Sequence, residues 1–160
     1  NYGRGNCKFT VIMAIEAGDP DKPASERGSV EDPRIWYRIS TDAGTSIENY
    51  IDFLNEDLFR YLAPDEPQRT LMHDNLSAHK HAEVVETIYN AGHTVICRPP
   101  YQPHEAPIEF AFDQFACEIR NRWASIRDEK DLVREMHNVL GSKAGMGGLD
   151  KQFQECGYKW

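Results

Sequence analysis

Long apolar runs are absent from this chain. None approaches the roughly 20 residues that a membrane-crossing helix requires, and the start of the chain shows no basic stretch leading into an apolar one of the kind that directs secretion. Positive charge is also scarce: 18 Lys and Arg stand against 26 Asp and Glu, a formal net charge of −8 at pH 7. A free-standing nucleic-acid binder is usually basic, so either a nucleic-acid surface sits on a further domain or this domain does not bind nucleic acid. Cysteine is limited to Cys7, Cys97, Cys117 and Cys156, with no C-x-x-C pair, which argues against a zinc ribbon. Their scatter through apolar segments predicts buried free thiols, although the even count leaves disulfides open. Neither an internal repeat nor a low-complexity tract is present.

What is there suits one domain with a real core. The chain has 160 residues, of which 40% are hydrophobic and 28% charged, ordinary values for a globular protein. Residues 9–15 form a dense apolar run with β-branched members and predict a core strand. Residues 18–33 are rich in Gly, Pro, Asp and Ser and predict a long turn. The alternation over 35–39, with Trp36 and Tyr37, predicts a further strand. Residues 45–62 carry Ile47, Tyr50, Ile51, Leu54 and Leu58 at helical spacing, with Thr45 or Ser46 as cap and Pro64 beyond the end.

A strand over 70–73 then delivers Asp74. A helix over 79–91 follows, with Ala82, Val85, Ile88 and Tyr89 on one side and Gly92 after its end. The next strand spans 94–97. A strand, a helix and a strand in this order predict a parallel pair joined by a right-handed crossover. A long helix from Pro107 to about Ser125 places Ile108, Phe112, Phe115, Ile119 and Trp123 on a stripe expected to face the sheet. Amphipathic helices over 128–140 and 149–156 flank a glycine-rich break at 141–148. Trp36, Phe115 and Trp123 are expected in the core.

Residues 70 to 110 carry the chemistry. They read T-L-M-H-D-N-L-S-A-H-K, an amphipathic stretch, then H-T-V-I-C-R-P-P-Y-Q-P-H-E-A-P-I-E-F. This resembles the catalytic core of the DDE transposase superfamily, in its Tc/mariner-like branch. Asp74, Asn75 and His79 match the family's D-N-x-x-x-H segment. Pro99, Pro100, Tyr101 and Pro103 match its proline loop, and Pro107, Ile108 and Glu109 match the end of its N-P-I-E segment. The likeness covers roughly residues 3–125 and is sharp between Leu71 and Phe112.

The resemblance implies an α/β, ribonuclease H-like fold, a mixed sheet flanked by helices. It implies residues 1–160 as a single catalytic domain, with 126–160 a C-terminal helical extension. The implied function is metal-dependent DNA phosphodiester cleavage and strand transfer, with Asp74 and Glu109 as catalytic, metal-binding acids. Asn75, His79, Arg120 and Arg122 are the implied substrate contacts. The implied cofactor is Mg2+ or Mn2+, two ions in the complete domain. The implied partners are DNA at transposon ends, held through an upstream region, and a second copy in a homodimer; no membrane is involved. The implied compartment is the nucleus in a eukaryote and the cytoplasm otherwise.

The family's first catalytic Asp sits on the first strand, before a segment like Gly3-Arg4-Gly5, and no acid occupies residues 1–9 here. The expectation is therefore a domain lacking its first strand and first acid, or a decayed or domesticated relative. Two other functions stay open: a non-catalytic relative kept for protein contacts, and a ribonuclease H-like nuclease that only hydrolyses.

Physical chemistry explains the residue types. Magnesium is hard and prefers carboxylate oxygens to His or Cys, and clustered carboxylates are relieved of mutual repulsion by the cation. Pro107 suits the first helical position, where its missing N–H costs nothing, and Glu109 then falls near the positive helix end. Ala106 stands where the family has a capping Asn, a loss of about 1 kcal/mol locally. His73, His79 and His81 match no standard zinc-hydrolase spacing.

Weak binding to duplex DNA is expected, falling further as salt is added, because a net charge of −8 opposes a polyanion. Arg120, Arg122 and Arg127 are the expected contacts. Titration at low and at physiological salt checks this; tight binding that survives physiological salt would reveal a dedicated basic surface instead.

Overall fold

The computed structural model describes residues 8–17, 35–41, 44–62, 68–74, 76–98, 106–141 and 149–157. The expected turn at 18–33, the proline loop at 99–105, Cys7, Asn75 and most of the 141–148 break lie outside these residues. The chain divides into two compact units, residues 8–12 with 36–102 and residues 1–7, 13–35 and 103–160. The architecture is mixed α/β, with helices and small sheets. The described strands pair two by two: β1 (Thr10–Ile15) with β2 (Ile35–Ser40), and β3 (Thr70–His73) with β4 (Thr94–Cys97).

The first helical segment starts where expected. The Ser46 side chain accepts from the Asn49 N–H and caps α1 (Ile47–Asp52). Beyond Asp52 the winding loosens into a π-helical turn over Phe53–Leu58, with Phe59 N–H bonding to Leu54 O, five residues back. A 3-10 turn, Phe59–Tyr61, closes it. The buried set of this segment is Tyr50, Phe53, Leu54, Leu58 and Leu62. Ile47 and Ile51, expected on the buried stripe, are only half-buried. Arg38 of β2 fastens this segment, reaching the carboxylates of Glu56 and Asp57 and the Asp52 carbonyl.

β3 and β4 are parallel, with Thr70 opposite Thr94 and His73 opposite Cys97. A parallel pair needs a crossover, and α2 (Ala82–Asn90) supplies it. Its inner face is Val84 and Ile88, both fully buried; Tyr89 is 54% exposed, Ala82 is exposed and Val85 half-buried. The expected face was thus turned by about one residue. The helix also starts later than residue 79: His81 is extended (φ −64°, ψ 142°) and ends a separate 3-10 turn, Ser77–Lys80. At the other end Gly92 has φ +83°. Its N–H bonds to Tyr89 O and the His93 N–H to Ile88 O, a left-handed helix stop that glycine makes without a Cβ penalty.

In the other unit α3 (Pro107–Asn121) packs against α4 (Glu129–Gly141) and α5 (Leu149–Glu155). Pro107, Ala111 and Phe115 form its buried line, while Ile108, Phe112 and Ile119 are half-buried. Trp123 is 46% exposed, because the α-helix stops at Asn121 and a 3-10 turn, Trp123–Ser125, carries it away from the stripe. Ala106, Ile126, Met136, Val139 and Leu140 complete the buried apolar set of this unit among the described residues. The burial of the thiols differs from expectation: Cys97 and Cys117 are exposed and Cys156 is half-buried. Cys97 ends β4, where its neighbour Ile96 is exposed too, and Cys117 lies on the exposed side of α3. No helix among the described residues is long and apolar enough to cross a membrane.

The start of α4 is held by charge. Asp128 accepts from the Asp131 N–H, and Asp131 accepts from the backbone N–H and Nε of Arg127. Arg134 adds an ion pair at 2.7 Å. The hydrogen bonds from Arg127 are the main reason that the Asp131 carboxyl is held down at about 2, against an ordinary 3.8. A depressed carboxyl contributes stability that is present above its unfolded pKa and lost as pH falls through the folded one. Thermal unfolding is therefore expected to lose stability between pH 4 and pH 2, and Asp131→Asn should flatten that part of the profile.

Candidate functional site

Alternation along β3 turns His73 inward, where it is 4% exposed, and leaves the next residue, Asp74, exposed at the strand end. The Asp74 side chain folds back on its own chain. Oδ1 accepts the Leu76 N–H at 2.9 Å, a local turn that Asp favours, and lies 2.6 Å from Nδ1 of His79. Both bonds fall on Oδ1; among the described residues no hydrogen bond reaches Oδ2. Partial burial opposes ionisation of Asp74, but the Leu76 N–H, His79 and the Arg98 guanidinium outweigh it. The carboxyl is held below its ordinary range.

Beneath His79 lies Tyr50 of α1, with ring centroids 4.1 Å apart. The Tyr50 ring is 6% exposed and its hydroxyl sits 2.9 Å from Nε2 of His73. On its other side His73 places Nδ1 3.3 Å from the His79 carbonyl oxygen. A carbonyl can only accept, so Nδ1 carries the proton and Nε2 accepts from the Tyr50 hydroxyl. That arrangement needs a neutral imidazole. Burial, with His79 alongside, pushes His73 down to about 4. Burial and the Asp74 charge push the Tyr50 phenol up. Both groups are neutral at neutral pH.

The sequence pattern pointed to Asp74 and His79 but not to Tyr50 or to a role for His73. The available signal was a tyrosine in the apolar stripe of one helix and a histidine at an inward strand position. Each is a polar group that burial obliges to find a partner.

Glu109 is the third residue of α3. Pro107 occupies the first position, Ala106 offers no capping side chain, and the Glu109 N–H donates to the Ala106 carbonyl at 3.0 Å. Its side chain belongs to an exposed residue of the first turn. Asp74 and Glu109 lie in different compact units. Asn75 falls outside the described residues. Arg120 is exposed in the last turn of α3. Arg122 is flanked by the carboxylates of Glu118 and Glu135, at 3.5 and 3.7 Å. Arg127 is bound to Asp131 at 2.9 Å. Two of the three arginines grouped in the sequence therefore have acidic neighbours.

Hard divalent cations take oxygen ligands. Asp74, with Oδ2 left over, and the exposed Glu109 are of that donor type. Among the described residues no group of three or more His, Cys, Asp or Glu side chains is placed to hold a metal ion. Asp74 thus fits as one ligand of a site, not as a whole one.

No family model and no curated protein matches the chain. Among solved structures, it is similar to the Mos1 transposase catalytic domain determined with raltegravir and Mg, at 14% identity and a TM-score of 0.45, covering 91% of this chain and 80% of that one. It is also similar to Mos1 transposase in a paired-end complex with the left transposon end, at 15% identity and a TM-score of 0.42, covering 92% of this chain and 53% of that one. At these values the likeness decides nothing about the reaction.

Tyr50→Phe keeps the ring and removes the hydroxyl, leaving Nε2 of a buried His73 without its partner. The expected loss is about 1–3 kcal/mol, read from denaturant unfolding of the variant and the parent chain.

Proposed function

We propose that this chain is part of a ribonuclease H-like catalytic core of the transposase kind, acting on DNA phosphodiesters with divalent metal ions. The observation that carries the reading is the placement of Asp74. It follows directly on β3, which pairs in parallel with β4 through the α2 crossover, and it sits within a D-N-x-x-x-H segment that leads by a proline-rich stretch to P-I-E at the start of a helix. A strand end and a first helical turn are rigid supports, which suits carboxylates that must hold a cation in a fixed place.

In this reading Asp74 and Glu109 each supply carboxylate oxygen to the metal site. Bound divalent ions, about 4 Å apart, would activate an attacking oxygen and stabilise a leaving one. The chain's own part is to hold the acids: Asp74 by its turn and His79, Glu109 by a helix begun at Pro107. Asn75, Arg120 and Arg122 are assigned to the DNA, with Arg120 the one whose charge has no acid set against it in the contacts described above. The third acid of the family's set is not among the residues matched here. The complete two-ion site would draw on residues outside the matched segment.

Mn2+ titration tests the reading. Asp74→Asn and Glu109→Gln are each expected to weaken binding; an unchanged Glu109→Gln variant would detach Glu109 from the site. With Mg2+ or Mn2+ present, labelled duplex DNA is expected to remain uncut by the 160-residue chain. Cleavage that Asp74→Ala abolishes would show that an acid within these residues completes the site.

A further inference from the structure

The histidine beside Asp74 is held on more sides than a substrate contact requires. Its ring lies on Tyr50 at 4.1 Å between centroids and within 5.3 Å of the His73 ring. Its carbonyl is bonded to His73 Nδ1, and its own N–H donates to the Leu76 carbonyl at 3.1 Å. The side chain is 15% exposed, against 45% for Asp74. Tyr50 is in turn fixed by His73. So supported, the ring turns Nδ1 toward Asp74 Oδ1, 2.6 Å away.

We propose that His79 is a positioning residue for Asp74: its Nδ1–H, aimed by the Tyr50–His73 pair, occupies Oδ1 and leaves Oδ2 as the single oxygen presented to a divalent cation. This rests on the reading of Asp74 as a metal ligand. The physical logic is that of an outer hydrogen bond fixing a ligating carboxylate. A free carboxylate on a strand end can rotate about χ2 and offer either oxygen or both. Two donors on one oxygen, Leu76 N–H and His79 Nδ1, stop that rotation and favour binding through the other oxygen. Loss of such a supporting bond typically weakens metal affinity by roughly 10- to 100-fold. His79 is thereby moved from the DNA to the carboxylate.

The test uses the 160-residue chain, Mn2+ alone as probe, and broadening of the amide signals of residues 74–79 as readout. His79→Phe keeps a ring on Tyr50 and loses the donor; binding is expected to weaken by roughly tenfold or more. In His79→Asn the amide nitrogen falls close to the place of Nδ1, and binding is expected to return to within about threefold of the parent. Asp74→Asn is expected to remove the local broadening. If the Phe variant does not fold, His79→Leu provides the donor-free case. Parent-like binding by His79→Phe, together with loss in Asp74→Asn, overturns the positioning role and leaves the metal reading standing. Equal weakening in the Asn and Phe variants also overturns it, since a donor put back at the place of Nδ1 would then restore nothing. Broadening unchanged in Asp74→Asn overturns the metal reading itself and the proposal with it.

Discussion

Parallel pairing of β3 with β4 is the constraint on which the candidate site depends. Two parallel strands cannot be joined by a tight turn, so the chain must climb back through α2 before β4 begins. That requirement explains Gly92, which ends the helix in a left-handed conformation, and His93, whose buried ring accepts the Arg69 N–H just before β3. The register then settles the rest. With Thr70 opposite Thr94 and His73 opposite Cys97, the last inward residue of β3 is a histidine and the next residue is the acid. Shifting the strand by one residue would exchange their faces.

A polar network inside this unit does what an apolar core could not. Tyr50 and His73 bury their rings and hydrogen-bond to each other, His73 also reaches the His79 carbonyl, and the half-buried His79 ring lies on Tyr50 with Nδ1 on Asp74. An unpaired buried group costs more than a typical hydrogen bond gains, so each member disfavours conformations in which the others are misplaced. The result is a stiff support beneath one carboxylate. In the other unit the same economy appears in ion pairs. Asp131, 4% exposed, draws in Arg127 and Arg134, and Arg122 sits between two acids. The basic residues that looked available for DNA in the linear sequence are in large part engaged with the chain's own acidic excess.

The differences from the sequence reading have local causes. Helical periodicity located α1 and its Ser46 cap, but not the π-helical turn over Phe53–Leu58, because a change in winding leaves no mark in an apolar pattern. The inner face of α2, Val84 and Ile88, lies about one residue from the expected one, because packing and not periodicity picks the buried line. Trp123 was counted on the α3 stripe, and the helix ends before reaching it. The cysteines were placed by composition, yet Cys97 and Cys117 are exposed. Which face an element buries depends on its neighbours, and periodicity alone does not name them.

The sequence by itself determined the strand-helix-strand order, the bounds of β3 and β4, the glycine stop of α2, the proline start of α3 and the placement of Asp74 and Glu109 at element ends. These follow from short-range rules: β-branched runs, helix caps, a fixed proline φ, a glycine free to adopt φ above zero. Only the tertiary structure decided that Tyr50, more than twenty positions before His73, would hydrogen-bond to it and lie under His79. It also decided that Asp74 would commit one oxygen to that histidine. The physical reason is that a buried polar group has to be paired, while the identity of its partner is set by which elements pack together, and that information is spread over the whole chain.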